Sequence, residues 1–539
     1  MSLTKISYSM INGAPANLLD FVTGGAGTSV DPWTGWDTAF AANTSLKNWS
    51  IPNGYFSYST PLVFDSSANG QTYRDLQLIG SGQSVFQFTG TGVAVSILGN
   101  INIGVKMSIE NLFIRGNPNC TNIFQAQYLF KSTIKNLKLE EGTGNAFQIN
   151  FGISCVFENI HISGLDVGIM ITRPANGIYL QGTTTDCTFI NPIIEGVVTT
   201  GIRIVEQSGS NVFIGGTSEA GSNSNKNNYG IQIDAACERN TFINVFCEDN
   251  AIADIEDLGF NTTWQNCTGF SLGASSTYGL HLIGNSDSGT AQAGGASTIT
   301  LASGASATDN IYNNHQIQIT GGTASGQTGI VLSYVGATKI ATMKKPWSVQ
   351  PDATSTYVTK GSRNALVLGG MYEYVKIDVG VFYATAINTI YNRVSTTGTF
   401  VNSATTTYMI NVTNFITGAI TTQGAVTITA ASGQSTVTTN VGVFENLGRE
   451  IFVTFSITNG SGGTGGTDAL FSGLPVNVTN NGYDGGPVVS TNCATSKNLM
   501  FVPVVNTATF NIFNLTTGLN LTNTEAASCI FKGWIKIRY

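Results

Sequence analysis

A short apolar motif with asparagine at its third position recurs along the chain, and this repeat constrains the fold more than any other feature. Its seven copies begin at Ile109, Ile134, Phe157, Phe189, Phe213, Phe242 and Trp264. Successive copies start 25, 23, 32, 24, 29 and 22 residues apart. A regular period of this size is typical of solenoids, in which each repeat buries its apolar face against its neighbours.

The third position of the motif holds one residue type in nearly every copy. The residues found there are Asn111, Asn136, Asn159, Asn191, Gly215, Asn244 and Asn266. A coil that turns between two strands needs a left-handed residue, and glycine and asparagine tolerate that conformation best. Stacked asparagine amides can also hydrogen-bond to one another along the solenoid axis. A β-sandwich with asparagine-rich turns is the alternative, but that fold gives no reason for asparagine to occupy the same position in six of the seven copies.

A further strand is predicted in each coil. Its copies begin at Gly168, Gly201, Gly230, Asp254 and Gly279. The alternation of side chains along a strand places Ile202 and Ile204 inward and Arg203 outward. We therefore predict an all-β chain built on a right-handed parallel β-helix, with coils that continue to about Ile283.

Composition supports this fold and excludes several classes of partner. Only 10% of the residues are charged, which suits sheets of small and β-branched residues, and the net charge of −7 argues against a nucleic-acid partner. No apolar run is long enough to span a membrane, and the N-terminus lacks the apolar core of a secretory signal. We expect synthesis in the cytoplasm. The eight cysteines lack paired metal-ligand spacing, so we interpret them as reduced thiols in the core.

Shifts in composition divide the chain into five predicted segments. They are an N-terminal segment with a capping helix (1–63), the β-helix (64–284), a small inserted β module (285–360), a stem (361–425) and a C-terminal β-sandwich (426–539). The helix is predicted over Trp36 to Lys47, where it would cover the open end of the solenoid.

The N-terminal segment resembles the start of pectate-lyase-like bacteriophage tailspikes. The matching pieces are Asp20-Phe21, the helical stretch Trp36 to Lys47, and Pro52-Asn53-Gly54-Tyr55, although the usual acidic pair before the helix is reduced to Asp37. The C-terminal segment resembles the β-sandwich of tail fibres, which serves trimerisation and carbohydrate binding. The resemblance implies a virion tail protein that binds bacterial capsule or O-antigen polysaccharide outside the host cell. It also implies a homotrimer, since a β-helix with an apolar outer face must bury that face.

The predicted catalytic residues are three glutamates six positions after the starts of successive repeats. They are Glu195, Glu219 and Glu248, and the corresponding positions of earlier repeats hold Arg115, Glu140 and Ser163. Alternation makes this position outward, so the three acids should form one column with neighbours about 5 Å apart. Like charges at that distance should raise at least one pKa. A protonated carboxylic acid beside an ionised carboxylate is what glycoside hydrolysis requires. The alternative is a solvated surface column.

Other side chains are predicted to contact substrate or to compete for the catalytic roles. Phe246 and Phe113 are outward rings that could stack on a sugar, and Arg203, Arg239 and Asp234 are candidate polar contacts. The rival acids are Glu206, Asp234, Asp249, Asp254 and Asp257. His161 is outward beside Ser163, where we interpret it as structural. No metal site or cofactor is predicted.

Three functions remain open at this point. The first is an endo-acting glycoside hydrolase that depolymerises surface polysaccharide. The second is a non-catalytic receptor-binding fibre, and the third is a polysaccharide lyase that leaves an unsaturated product. The sugar, the linkage, the host, and whether the site lies within one chain or between chains do not follow from the sequence.

Overall fold

A computed structural model gives the fold of the chain. It describes residues 15–42, 47–66, 75–102, 104–163, 172–220, 226–270, 278–283, 287–360 and 365–378, and shorter segments between 384 and 538. The chain divides into two compact units, one of residues 1–385 and 389–406 and one of residues 386–388 and 407–539.

The first unit is a parallel β-helix, as the repeat predicts. Strands of successive coils stack in three columns, and the pairings between coils in the described residues are parallel. The first column contains Ala16–Asn17, Asn48–Ile51, Thr188–Ile190, Val212–Ile214, Thr241–Ile243, Thr263–Gln265 and Ala365–Leu368. The second contains Gly54–Tyr58, Ile193–Glu195, Thr217–Glu219, Phe246–Glu248, Thr268–Phe270, Met371–Tyr372 and Ile390–Tyr391. Four strands run through both columns: Leu76–Phe88, Met107–Arg115, Thr133–Glu140 and Val156–Ser163.

The third column forms a separate sheet of eleven strands. Its members are Leu62–Asp65, Val95–Leu98, Phe124–Phe130, Asn145–Ile153, Asn176–Gln181, Thr200–Ile204, Tyr229–Ile233, Ala253–Asp257, Leu280–Leu282, Val375–Ile377 and Phe400–Asn402. Ile202 and Ile204 are buried and Arg203 is half-buried, as alternation predicts. The strand predicted from Gly168 lies outside the described residues.

The recurrent asparagines form the corners between the first and second columns. All six asparagines are left-handed, with φ between 50° and 56°, and Gly215 has φ 65°. The side-chain amides of the first four are hydrogen-bonded along the axis: Asn136 donates to Asn111 at 2.7 Å, Asn159 to Asn136 at 2.9 Å and Asn191 to Asn159 at 3.0 Å. We name these four residues the asparagine ladder. The predicted turn and the predicted amide stacking are both present.

Aromatic rings stack inside the same coils. Phe189, Phe213, Phe242 and Trp264 are fully buried, and consecutive rings lie 4.4, 4.8 and 4.3 Å apart in nearly parallel planes. The six cysteines that lie in the described residues are buried and form no disulfide bond there. Cys493 and Cys529 lie outside the described residues. The repeat therefore sets both the corner and the core of each coil.

The chain enters the β-helix earlier and leaves it later than the sequence boundaries indicate. Asn48–Ile51 and Gly54–Tyr58 already pair with the next coil, within the segment assigned to the N-terminal cap. After the inserted module, Ala365–Leu368 and Val375–Ile377 stack on the coils that end near Ile283. The predicted end at about Ile283 is therefore an interruption, and the coils resume in the segment assigned to the stem.

The described part of the N-terminal helix is shorter than predicted. A 3-10 helix covers Leu18–Phe21 and an α-helix covers Trp36–Ala42, while residues 43–46 lie outside the described residues. Trp36 is fully buried, and its ring stacks on Phe86 at 4.8 Å. These contacts join the helix to the first coils, and its role as a cap stays a prediction. Neither described helix has the length and hydropathy needed to cross a lipid bilayer.

The strands of the inserted module pair antiparallel, and so do those of the eleven-stranded sheet in the second unit. In the module, seven strands form one sheet in the order Ser288–Thr290, Thr356–Lys360, Gln316–Gly321, Thr328–Val335, Ile340–Met343, Thr298–Thr300 and Ala293–Gly295. A further strand covers Ala384–Ile387. The strands of the second unit are Thr407–Ile410, Val412–Asn414, Ile420–Thr421, Gly424–Ala425, Thr429–Ala430, Val437–Asn446, Glu450–Asn459, Leu470–Ser472, Tyr483–Gly485, Pro487–Thr491, Leu499–Val504, Thr509–Asn514, Leu519–Asn520 and Ile530–Arg538.

Candidate active site

The three predicted glutamates lie in one column at the end of the second strand column. Glu195 pairs in register with Glu219, and Glu219 pairs with Glu248. Ser163 precedes Glu195 in the same register, and Phe270 follows Glu248. Since parallel strands lie about 4.8 Å apart, the three carboxylates occupy three adjacent rungs. We name Glu195, Glu219 and Glu248 the acid column.

Each member of the acid column points outward because its neighbour on the strand points inward. Ile194, Ser218 and Cys247 are fully buried, whereas the glutamates next to them are half-buried. Partial burial raises the pKa of Glu219, and the negative charges of Glu195 and Glu248 raise it further. The middle carboxyl therefore keeps its proton to a higher pH than an ordinary glutamate does.

The turns after the acids are fixed by buried amides that sequence analysis did not identify. The Asn227 side chain donates to the carbonyl of Glu219 at 3.0 Å, and the Asn250 side chain donates to the carbonyl of Glu248 at 3.2 Å. Asn227 also donates to Asn250 at 2.9 Å. Asn227 and Asn250 are separated from their glutamates by different numbers of residues. The repeat spacing in the sequence therefore does not identify them. They hold the ends of the two strands that carry the acids.

A buried carboxyl group supports this asparagine pair. Asp254 is fully buried and accepts a hydrogen bond from the Asn250 side chain at 2.7 Å. Burial raises the pKa of Asp254 to about 8. Asp257 is also fully buried, where it accepts a hydrogen bond from the Trp264 indole at 3.0 Å. These two rivals of the acid column face the interior, so they act on structure and not on substrate.

Two further residues flank the acid column on the outer surface. His161 Nε2 lies 3.7 Å from Glu195 Oε2. Phe246 is half-buried on the same face two residues before Glu248, and it pairs with Thr217 of the preceding coil. Asp249, another rival, forms an ion pair with Lys226. His161 and Phe246 therefore lie beside the acid column, whereas the carboxylate of Asp249 is paired with Lys226.

The earlier members of the same register have a different environment. Glu140 is 3% exposed, accepts a hydrogen bond from Arg115 at 3.0 Å and forms an ion pair with Lys138 at 2.6 Å. The Arg115 guanidinium and the Lys138 ammonium each lie 5.0 Å from the centre of the Phe113 ring. These two cations neutralise Glu140 and occupy the surface of Phe113. Phe113 is therefore a poorer platform for a sugar than Phe246 is.

The remaining predicted contact residues lie away from the acid column. Arg203 is on the third strand column and pairs with Asp234 at 2.6 Å. Both residues line a cavity of about 620 Å³ together with Glu206 and with Asp309 of the inserted module. Burial raises the pKa of Asp234, and the Arg203 charge opposes that shift. Arg239 lines an adjoining cavity. The predicted site is therefore divided between two surfaces, because its residues belong to different strand columns.

No group of three or more histidine, cysteine, aspartate or glutamate side chains is placed to hold a metal ion within the described parts of the chain. What the acid column offers is acid–base and nucleophilic chemistry by paired carboxylates.

Comparison with known proteins gives structural likeness only. No family model matches the sequence, and a search of curated proteins found no similar sequence. Among solved structures, the chain is similar to the tailspike protein of Dettilon, with 10% identity, a TM-score of 0.45, and coverage of 93% of this chain and 90% of that one. It is similar to the tailspike protein gp49 of Pseudomonas phage LKA1, with 10% identity, a TM-score of 0.41, and coverage of 97% and 99%. It is also similar to the A-module of a mannuronan C-5 epimerase from Azotobacter vinelandii, with 12% identity, a TM-score of 0.33, and coverage of 74% and 93%.

Proposed function

We propose that the chain binds a bacterial surface polysaccharide, capsule or O-antigen, and hydrolyses its internal glycosidic bonds at the acid column. The observation that carries the proposal is the register of Glu195, Glu219 and Glu248 on three adjacent rungs, with the pKa of the middle carboxyl raised. The resemblance of the N-terminal segment to bacteriophage tailspikes supports a location in a phage tail. In that setting the protein is made in the host and acts on the surface of the next cell.

Within this proposal Glu219 is the general acid and Glu195 the nucleophile. Glu219 donates its proton to the leaving glycosidic oxygen while Glu195 attacks the anomeric carbon, which forms a covalent glycosyl-enzyme. Glu219 then removes a proton from water, and that water releases the sugar from Glu195. The His161 imidazole lies beside this nucleophile, with its Nε2 3.7 Å from Glu195 Oε2. A rung spacing of about 4.8 Å is close to the carboxyl separation of about 5 to 5.5 Å found in retaining enzymes.

The substitutions Glu195→Gln and Glu219→Gln test these roles. We expect each to lower the release of reducing ends from a panel of purified capsular and O-antigen polysaccharides by about 100-fold or more. Glu158→Gln is the matched control, because Glu158 is an outward glutamate that pairs with Lys135 at 3.1 Å and lies outside the acid column. Full activity in both column variants would refute the assignment.

The product distinguishes hydrolysis from the two alternatives. A retaining hydrolase gives a saturated product whose first-formed anomer has the configuration of the substrate, which proton NMR detects during the first turnovers. An unsaturated product that absorbs in the ultraviolet would indicate a lyase. Binding to a polysaccharide without cleavage of it would indicate a receptor-binding fibre.

A further inference from the structure

A second cavity lies where the inserted module meets the β-helix. It has a volume of about 190 Å³ and adjoins the larger cavity that contains Arg203, since Thr183, Gln207 and Ala236 line both. One wall consists of turns that follow strands of the third column, and the other consists of module residues. The Asn314 side chain fixes this junction by donating to the carbonyl of Ala236 at 3.2 Å.

The second cavity contains a buried amide that no protein group satisfies. Asn313 is 2% exposed and lines the cavity, yet neither its amide nitrogen nor its amide oxygen has a hydrogen-bond partner in the described parts of the chain. A buried amide without partners is costly, and native proteins retain such groups rarely. Its neighbour Asn314 is engaged in holding the module. Asn313 therefore keeps an unused donor and an unused acceptor in the wall of the cavity.

Cations line the same cavity. The Arg239 side chain is 60% exposed and pairs with Glu238 at 2.5 Å. Lys344, on the module side, is exposed and has no ion-pair partner in the described residues. Arg239 is also left-handed, with φ 55°, a conformation that a residue of this type adopts rarely. With Glu238 as the one acid in the lining, the cavity carries an excess of positive charge.

We propose that this cavity binds a carboxylate-bearing sugar residue. The Asn313 amide donates to one sugar hydroxyl and accepts from another, while Lys344 and Arg239 hold the carboxylate. The inference rests on the proposed function for its class of ligand, but its location is independent of the acid column. The inserted module thus contributes to recognition of an acidic polysaccharide.

The test is binding of two trisaccharides that differ in charge. Trigalacturonic acid is the acidic probe and maltotriose the neutral one, and both are titrated into the full chain carrying Glu219→Gln, which prevents turnover. We expect the acidic probe to bind in preference to the neutral one. Lys344→Met should weaken its binding by about tenfold or more, since it removes a charge-assisted hydrogen bond. Lys345→Met removes the adjacent exposed lysine and should leave binding unchanged.

Asn313→Leu gives a second, independent measurement. Leucine has a similar volume and no polar atoms, so binding should be lost while the melting temperature is unchanged or higher. If Asn313→Leu fails to fold, Lys344→Met remains the test, because substitution of an exposed side chain is not expected to prevent folding. Equal binding of both probes, absence of binding, or equal effects of Lys344→Met and Lys345→Met would overturn the inference. Binding of the acidic probe, together with no cleavage of the polysaccharide panel by the chain without substitutions, would refute the hydrolase proposal alone.

Discussion

Glu219 is flanked on its own column by two carboxylates, one rung away on either side. Their charges and partial burial raise its pKa, so its protonated form persists to a higher pH. A general acid must be protonated to act, and kcat/KM should therefore fall as the pH rises through the raised pKa. The proposal thus predicts that activity is lost on the alkaline side as Glu219 loses its proton.

Glu248→Gln tests the origin of this profile. The substitution removes one of the two charges that raise the pKa of Glu219 and leaves the proposed nucleophile in place. We expect the alkaline limb of kcat/KM to move to lower pH. Glu158→Gln, which lies outside the acid column, should leave that limb in place. An alkaline limb that stays in place in Glu248→Gln would contradict the electrostatic coupling of the two acids.

At the scale of single elements, glycine interrupts the row of corner residues. Gly215 occupies the corner position between Asn191 and Asn244, with φ 65°, and a Cβ atom built there meets nothing within 4 Å. Asparagine adopts φ 50° at Asn191 and φ 54° at Asn244, so the backbone at this corner suits it. Gly215 therefore breaks the contact between the asparagine ladder and the later asparagines.

Gly215→Asn should extend the asparagine ladder and stabilise the β-helix. The substitution reduces the freedom of the unfolded chain and adds amide hydrogen bonds, which together contribute on the order of 1 kcal/mol. Thermal unfolding should show a higher midpoint. Gly215→Ala is the control, because alanine in a left-handed conformation costs about 1 to 2 kcal/mol and should lower the midpoint. A midpoint for Gly215→Asn at or below that of the chain without substitutions would contradict this prediction.

These elements also show how far the sequence determines the fold and the site. The asparagine position predicted the corner, and alternation from that corner placed Glu195, Glu219 and Glu248 in register, because both depend on spacing within one coil. Asn313 could not be recognised, since its importance depends on how the module docks against Ala236, 77 positions earlier in the chain. The sequence shows that the Arg203 side chain points outward, but it does not show which strand column carries it. From the sequence, Arg203 is therefore assigned to the same site as the acid column, whereas the structure places it on the third column.

At the scale of the whole molecule, the outer face of the first strand column carries an apolar row. Ile190, Ile214 and Ile243 pair in register on three adjacent coils. Their neighbours toward the N-terminus are charged, since Glu158 pairs in register with Ile190 and with Lys135. Ile214 is 38% exposed in the single chain. Rows of apolar side chains on a sheet surface mark interfaces, and three copies around one axis would bury this row with closed symmetry.

The predicted homotrimer is therefore expected to depend on this row. Sedimentation of the purified chain at micromolar concentration should give three times the mass of one chain, 56.7 kDa. Ile214→Glu with Ile243→Glu places two charges in the proposed interface, where burial without a partner is costly, and should give monomers. Val63→Glu is the control, because Val63 is an apolar residue of the third column with 46% exposure and lies away from the row. A wild-type monomer, or a double variant that remains trimeric, would show that this face is not what joins the chains.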